Sequence, residues 1–169
     1  MKKSMSDALN TQINNELNAS YAYLAMAAYF DKNGLSGLAQ WFRAQSDEER
    51  THAMRIYDYL VNRDVAVQLL AVEQPSDNFQ SAEDAVSTAM AHERKVTSQI
   101  NDLVALALEK NDFATKTMLD WFVAEQVEEE ATMQRLLDQV QATENIRWYL
   151  MQLDEQLVKD ADSVAEQPA

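Results

Sequence analysis

The two halves of this sequence repeat one spacing of polar residues. In each half a lone glutamate is followed, 33 and 36 residues later, by a pair of polar side chains. The first set is Glu16, Glu49 and His52, and the second is Glu93, Gln126 and Glu129. Residues three apart on an α-helix share a face, so each pair can hold one metal ion together. Four-helix bundles with a dinuclear carboxylate centre arrange their ligands in this way.

Few residues in the chain interrupt helices. The 169 residues include only Gly 2 and Pro 2, whereas Ala, Leu, Gln, Glu and Met, which favour helices, are abundant. No stretch has the character of a strand. A chain of this length buries one full-sized core, so we expect residues 1–169 to form a single all-α domain.

Helical periodicity predicts the bounds of the elements. We expect helices at about residues 4–31, 37–62, 82–110, 113–141 and 146–160, a crossover at about 63–80 and a frayed tail at 161–169. An extended crossover of this length reaches roughly 60 Å, while the second helix is roughly 39 Å long. The third helix is therefore expected to run parallel to the second, in a four-helix bundle with one long crossover and a short fifth C-terminal helix.

The ends of the helices carry capping and stop signals. Asn33-Gly34 is a stop signal, because both residues tolerate the left-handed conformation. Ser36 is expected to cap the second helix, Ser81 to open the third with a capping box, and Asp112 to cap the fourth.

Some apolar residues predict packing faces. Leu24 is expected in the core stripe of the first helix and Leu108 in that of the third. The crossover is too apolar for a solvated loop, so we expect it to pack on the bundle or on another subunit; its apolar residues are Val65, Val67, Leu69, Leu70 and Val72. Four helices already close a bundle, so the amphipathic fifth helix predicts burial between subunits.

Charge and cysteine content restrict the location and the partners. The net charge of −14 repels nucleic acid and anionic lipid and attracts cations. Cys 0 excludes disulfides and thiolate metal sites and fits a reducing cytosol. No apolar run predicts a signal peptide or a membrane span. We therefore expect a cytoplasmic protein with no nucleic-acid or membrane partner.

Charge balance favours two divalent cations in the bundle. Four buried carboxylates without a counter-charge would cost many kcal/mol; they belong to Glu16, Glu49, Glu93 and Glu129. We expect Glu16, Glu49 and His52 to hold one ion, and Glu49 to bridge to a second ion held with Glu93 and Glu129. Oxygen ligands with a single imidazole suit Fe²⁺ or Mn²⁺ better than copper or structural zinc.

Several residues lie beside these ligands, and most of them have more than one interpretation. Tyr23 can supply an electron to the centre and Trp121 can line it, or both are core aromatics. Gln126 can hydrogen-bond a ligand or bound dioxygen. An adjacent acidic set forms either a third ion site or a solvated face; it consists of Glu48, Glu125 and Glu128. His92 points about 100° away from Glu93, so we expect a surface histidine and not a ligand.

Three segments resemble bacterial non-heme ferritins: Asn15 to Tyr21, Glu48 to Ala53, and, most specifically, Trp121 to Glu130. The resemblance covers nearly the whole chain. It implies a ferroxidase that oxidises Fe²⁺ with O2 or H2O2 and stores the ferric mineral in a hollow shell of twenty-four subunits. It also implies three iron sites, namely Glu16, Glu49 and His52; Glu49, Glu93 and Glu129; and Glu48, Glu125, Glu128 and Glu129.

The same resemblance implies a tyrosine near the iron pair, at Tyr23, and a fifth helix gathered around a four-fold axis. The chain also departs from related families. Bacterioferritins carry a second Glu-x-x-His and a heme-ligating methionine. Here Gln126 and Glu129 stand in place of the Glu and His of that second motif. Arg50 stands at the methionine position, so we expect no heme. Lys116 and Leu119 fall where animal ferritins have an acidic entry channel. The resemblance therefore does not indicate where iron enters this protein.

Three other interpretations remain open from the sequence. A di-iron oxidase or peroxidase similar to rubrerythrin would share the centre without storing mineral, although the chain has no Cys-x-x-Cys domain. A manganese catalase would use related ligands. A metal-free helical interaction protein explains the helices and the acidity but not the repeated offsets.

Overall fold

The computed structural model describes the backbone of residues 1–165 and the side chains of residues 1–161. Within this range the chain forms five helices and no strand, which confirms the predicted all-α fold. The helices are α1 (Lys3–Lys32), α2 (Ser36–Asn62), α3 (Ala82–Glu109), α4 (Phe113–Ala142) and α5 (Arg147–Ala165).

Two apolar clusters define the direction of each helix. One cluster joins the N-terminal halves of α1 and α4 to the C-terminal halves of α2 and α3, and includes Leu9, Ile56, Ile100 and Phe122. The other joins the opposite halves and includes Phe30, Phe42, Val86 and Leu136. Helices α2 and α3 are therefore parallel to each other and antiparallel to α1 and α4. The crossover spans the length of the bundle between them, as predicted.

A polar layer separates the two clusters at the middle of the bundle. On α1, Glu16 lies between Ile13 of one cluster and Tyr23 of the other. On α3, Glu93 lies between Met90 and Val96 in the same way. Apolar packing at both ends thus holds the buried polar side chains of four helices at one level.

Most predicted helix ends agree with the structure. Gly34 adopts a φ of +68° after α1, where a residue without Cβ carries no steric penalty. The Ser81 side chain accepts a hydrogen bond from the backbone N–H of Asp84, and the Asp112 side chain accepts one from that of Thr115. Helix α5 continues to Ala165, so the predicted frayed tail begins too early. Residues 166–169 of that tail lie outside the described part of the chain.

The predicted cap of α2 is wrong. The residue preceding the helix is Leu35, and neither it nor Ser36 makes a capping hydrogen bond. Instead, Asp154 of α5 accepts a hydrogen bond of 2.8 Å from the backbone N–H of Leu38. The Asp154 side chain is buried, with 7% of the residue exposed. The negative charge at the start of α2 also complements the helix dipole. A residue on α5 thus provides the cap and ties α5 to the bundle.

Gly37 allows this close approach of α5 to α2. A Cβ at Gly37 would lie 2.1 Å from the backbone oxygen of Asp154, which no rotamer change can relieve. We expect Gly37→Ala to undock α5 while the four-helix core stays folded, so that limited proteolysis within α5 becomes about ten-fold faster. Ser36→Ala, which removes an exposed side chain at the same helix end, is the matched control. Equal cleavage rates in Gly37→Ala and the unmodified protein would contradict the prediction.

Helix α5 buries part of its apolar surface against its own bundle. Leu150 is buried in the cluster that contains Phe30, and Leu153 and Leu157 pack against that cluster. Trp148 and Tyr149 remain exposed. The predicted burial of α5 between subunits therefore holds at most for these remaining residues, because its other face is already buried within the chain.

Other apolar residues lie at the surface of the chain. Leu24 and Leu108, predicted as core, are 47% and 49% exposed. Val65 and Val67 of the crossover pack against the bundle, but Leu69, Leu70 and Val72 are exposed. None of the helices between residues 1 and 165 has the length and apolar character needed to cross a membrane.

Candidate metal centre

Glu16, Glu49 and His52 form a compact group inside the polar layer. One ligand atom from each lies within 4.8 Å of the others, and each residue is at most 2% exposed. Glu16 Oε2, Glu49 Oε2 and His52 Nδ1 are buried and have no hydrogen-bond partner outside this group in the described structure. Buried polar atoms are rarely left unpaired, because desolvation without a partner costs about 1–3 kcal/mol or more. The three atoms therefore fit a bound cation, and their donor types suit a divalent transition metal.

The other oxygen of Glu16 is held by neutral side chains. Gln12 Nε2 donates a hydrogen bond of 2.8 Å to Glu16 Oε1, and Asn15 Nδ2 donates one of 3.1 Å to Gln12 Oε1. These contacts orient the carboxylate so that Oε2 faces the group. The spacing of four residues between Gln12 and Glu16, which places both on one face of α1, is the local signal in the sequence for this contact.

Aromatic side chains enclose the imidazole of His52. The centroids of Trp121 and Phe122 lie 5.4 Å and 6.0 Å from that of His52, both in edge-to-face arrangements. Arg55 in turn lies over the Trp121 ring, 4.0 Å from its centroid. Trp121 thus lies beside the group and also packs against the apolar cluster that contains Phe122, so the structure agrees with both of its interpretations. The contact of Arg55 was not predictable, because it depends on the rotamers of two side chains from different helices.

A second candidate group lies between α2 and α4. Single ligand atoms of its members lie within 4.8 Å of one another, and the group consists of Glu48, His52, Glu125 and Glu129. Glu129 and His52 are buried, whereas Glu48 and Glu125 are half-buried. Glu128, predicted beside them, is exposed and lies outside this group. The structure thus shares His52 between two groups, which the sequence did not indicate.

Glu93 is engaged by hydrogen bonds and not by the other carboxylates. The phenol of Tyr23 donates to Glu93 Oε1, and Gln126 Nε2 donates at 3.3 Å to Oε2. Neither compact group of the described residues contains Glu93, so the predicted set of Glu49, Glu93 and Glu129 is not brought together as a compact group. Gln126 thus donates to Glu93, which is one of the predicted ligands. The second ion site remains a prediction.

Burial and mutual repulsion disfavour ionisation of the central carboxyls. The pKa of Glu49 rises to about 8, mainly through burial and then through the negative charges of Glu93 and Glu129. The pKa of Glu129 also rises to about 8, through burial and then the charges of Glu48 and Glu93. Burial and Glu49 raise the pKa of Glu16 well above its usual value. Without a cation, the protonated forms of Glu49 and Glu129 are therefore favoured at neutral pH.

Tyr23 and His92 lie on the α1–α3 side of the layer. Burial, followed by the nearby charge of Glu93, raises the pKa of Tyr23 well above 10, so the phenol keeps its proton. The His92 ring centroid lies 6.3 Å from that of Tyr23. His92 is half-buried, which corrects its assignment to the surface, and burial followed by the charge of Lys95 lowers its pKa.

Comparison with known proteins identifies the family. The family described as Ferritin-like domain matches residues 6–143. The chain belongs to the ferritin family. This confirms the resemblance seen in its three motifs.

The relatives of this ferritin match most of its length. The bacterial non-heme ferritin of Staphylococcus aureus strain MRSA252 is 40% identical over 131 residues, which cover 78% of this chain and 79% of the relative. The bacterial non-heme ferritin of Staphylococcus epidermidis is 40% identical over 138 residues, covering 82% and 83%. Among solved structures, the open pore ferritin of the archaeon Archaeoglobus fulgidus aligns with a TM-score of 0.91 and 41% identity, over 93% of this chain and 97% of that one.

Proposed function

We propose that this ferritin oxidises Fe²⁺ at a di-iron centre within each subunit and stores the ferric product. The observation that carries the proposal is the compact group of Glu16, Glu49 and His52, with three buried ligand atoms that have no hydrogen-bond partner outside the group. These residues bind one Fe²⁺. Glu49 also contacts the second Fe²⁺, which Glu93 and Glu129 hold.

Occupation of the second site requires a change at Glu93. Its oxygens accept hydrogen bonds from Tyr23 and Gln126. Fe²⁺ replaces part of this hydrogen bonding, while Gln126 keeps Glu93 oriented. Tyr23 lies in contact with a ligand, close enough to supply an electron to the centre.

The electron balance explains the need for two irons. Each Fe²⁺ gives one electron, so a pair reduces one H2O2 with two protons to two waters; O2 takes two electrons from the same pair to reach the peroxide level. The ferric product then moves to the acidic group of α2 and α4. We assign Glu48, Glu125 and Glu129, with the exposed Glu128 at its edge, to a third iron site and the path to the mineral.

The proposal extends to the assembly and the location of the protein. We propose a homo-oligomeric shell of twenty-four subunits in the cytoplasm, without heme. The exposed apolar residues of the crossover and of α5 support contacts between subunits. A net charge of −14 supports the attraction of Fe²⁺ to the shell.

Stopped-flow absorbance tests the proposal. The apoprotein receives two Fe²⁺ per subunit in air, and then several hundred more. We expect a fast oxidation phase that saturates at two irons, followed by continued uptake into a soluble ferric core. A fast phase followed by precipitation of the excess iron would reject storage, and the lack of any fast phase would reject the di-iron centre.

A further inference from the structure

A cavity of about 370 Å³ opens between α1, α3 and the crossover. We call it the vestibule, and define it by Asn14, Asn15, Ala22, Glu73, His92 and Lys95. The acidic group of Glu48, Glu125 and Glu129 is carried by α2 and α4 instead. The polar layer therefore has a cavity on one side and a cluster of carboxylates on the other.

Two contact chains join the vestibule to the centre. From its wall, Asn15 donates to Gln12, and Gln12 donates to Glu16 Oε1, at 3.1 Å and 2.8 Å. Independently, the His92 ring contacts that of Tyr23, and the Tyr23 phenol donates to Glu93. One intervening side chain thus separates each wall residue from a carboxylate of the proposed di-iron centre.

The walls of the vestibule are chemically unlike the acidic group. Amide side chains dominate its polar lining, and one lysine, Lys95, offsets one glutamate, Glu73. Asn14 Oδ1 is buried there without a hydrogen-bond partner, so it can accept a hydrogen bond from a molecule that enters the cavity. A neutral lining does not concentrate a divalent cation, whereas a neutral molecule enters it with little loss of solvation free energy.

We propose that the vestibule is the entry route of the oxidant, a small neutral molecule such as H2O2 or O2, while Fe²⁺ reaches the centre through the acidic group, along the same path by which the ferric product later leaves. This inference rests on the proposed ferroxidase function. The two substrates then approach the pair from opposite sides of the polar layer.

Filling the vestibule tests this route. Ala22 lines the cavity, and Ala22→Leu narrows it without altering a proposed iron ligand. We expect the second-order rate constant for oxidation of bound Fe²⁺ to fall about five-fold or more, with H2O2, with O2 or with both. Anaerobic titration with Co²⁺ should give an unchanged affinity, because the ligands are intact. The oxidant whose rate falls is the one that uses the vestibule.

Matched variants complete the test. Gln99→Phe fills the same cavity from α3 and should reproduce the effect, which guards against misfolding of one variant. Ala105→Leu, at an exposed position of α3, should change neither rate. Unchanged rates with both oxidants in the two filled variants would overturn the route, as would a parallel loss of Co²⁺ affinity. Failure of the unmodified protein to oxidise Fe²⁺ would instead reject the proposed function on which the inference rests.

Discussion

Glu49→Ala should slow the fast phase of Fe²⁺ oxidation by roughly 100-fold or more. Glu49 is 2% exposed, lies in the compact group with Glu16 and His52, and in the proposal bridges both irons. Its loss leaves each iron with fewer ligands and the pair without a link, so two electrons no longer reach one oxidant together. The measurement is stopped-flow absorbance at two Fe²⁺ per subunit, with size-exclusion chromatography to verify that assembly is intact.

Asp47→Ala provides the matched control for this variant. Asp47 is an exposed carboxylate two residues away on the same helix, so it has the same charge but no place in the centre. Its variant should oxidise Fe²⁺ at the rate of the unmodified protein. Unchanged fast-phase kinetics in Glu49→Ala would exclude the bridging role, and an equal loss in both variants would indicate a general effect of charge.

The stability of the metal-free protein should fall as the pH rises from about 5 to about 8. The pKa of Glu49 is about 8 in the folded chain, compared with an ordinary value of 4.5. A carboxyl whose pKa is raised by folding contributes fully below the lower value, and this contribution is lost as the pH rises through the higher one. Since one pKa unit corresponds to about 1.4 kcal/mol, Glu49 lowers the free energy of unfolding by a few kcal/mol across this range.

A bound cation should remove most of this loss. Co²⁺ displaces the protons and pairs with the carboxylates, so the gap in Tm between Co²⁺-loaded and metal-free protein should widen with pH. Scanning calorimetry at fixed protein concentration measures the gap. In Glu49→Gln, which keeps the volume of the side chain but cannot ionise, the metal-free Tm should depend less on pH than in Asp47→Asn. A gap that is independent of pH, or an unaltered pH dependence in Glu49→Gln, would contradict the raised pKa.

Much of the fold was predictable, because its signals are local. Helix periodicity, the scarcity of glycine and proline, and the signals at Gly34, Ser81 and Asp112 are set by residues near one another in sequence. The crossover is long enough to span the bundle, and this length indicated that α3 runs parallel to α2. Predictions from local sequence were wrong where a residue distant in sequence makes the contact instead. Ser36 does not cap α2, because Asp154 of α5 accepts the hydrogen bond at this helix end, in the space that Gly37 leaves.

Packing faces were less predictable than helices. The period of an α-helix identifies a stripe of apolar residues but not its width, so Leu24 and Leu108 fall on exposed edges of the stripes. The assignment of α5 to contacts between subunits failed in part for a similar reason. Its Leu150 and Leu157 fill the end of the bundle, and no pattern within α5 shows that this end is open.

The sequence by itself determined which residues meet at the polar layer, since the repeated offsets of 33 and 36 place them at one level of four helices. Only the tertiary structure decided how they share their contacts. Glu16, Glu49 and His52 come together with free ligand atoms, while Glu93 is held by Tyr23 and Gln126. Spacing fixes the height and face of a side chain on its helix. Its partners depend on rotamers and on side chains that other helices bring near, which no spacing within one helix specifies.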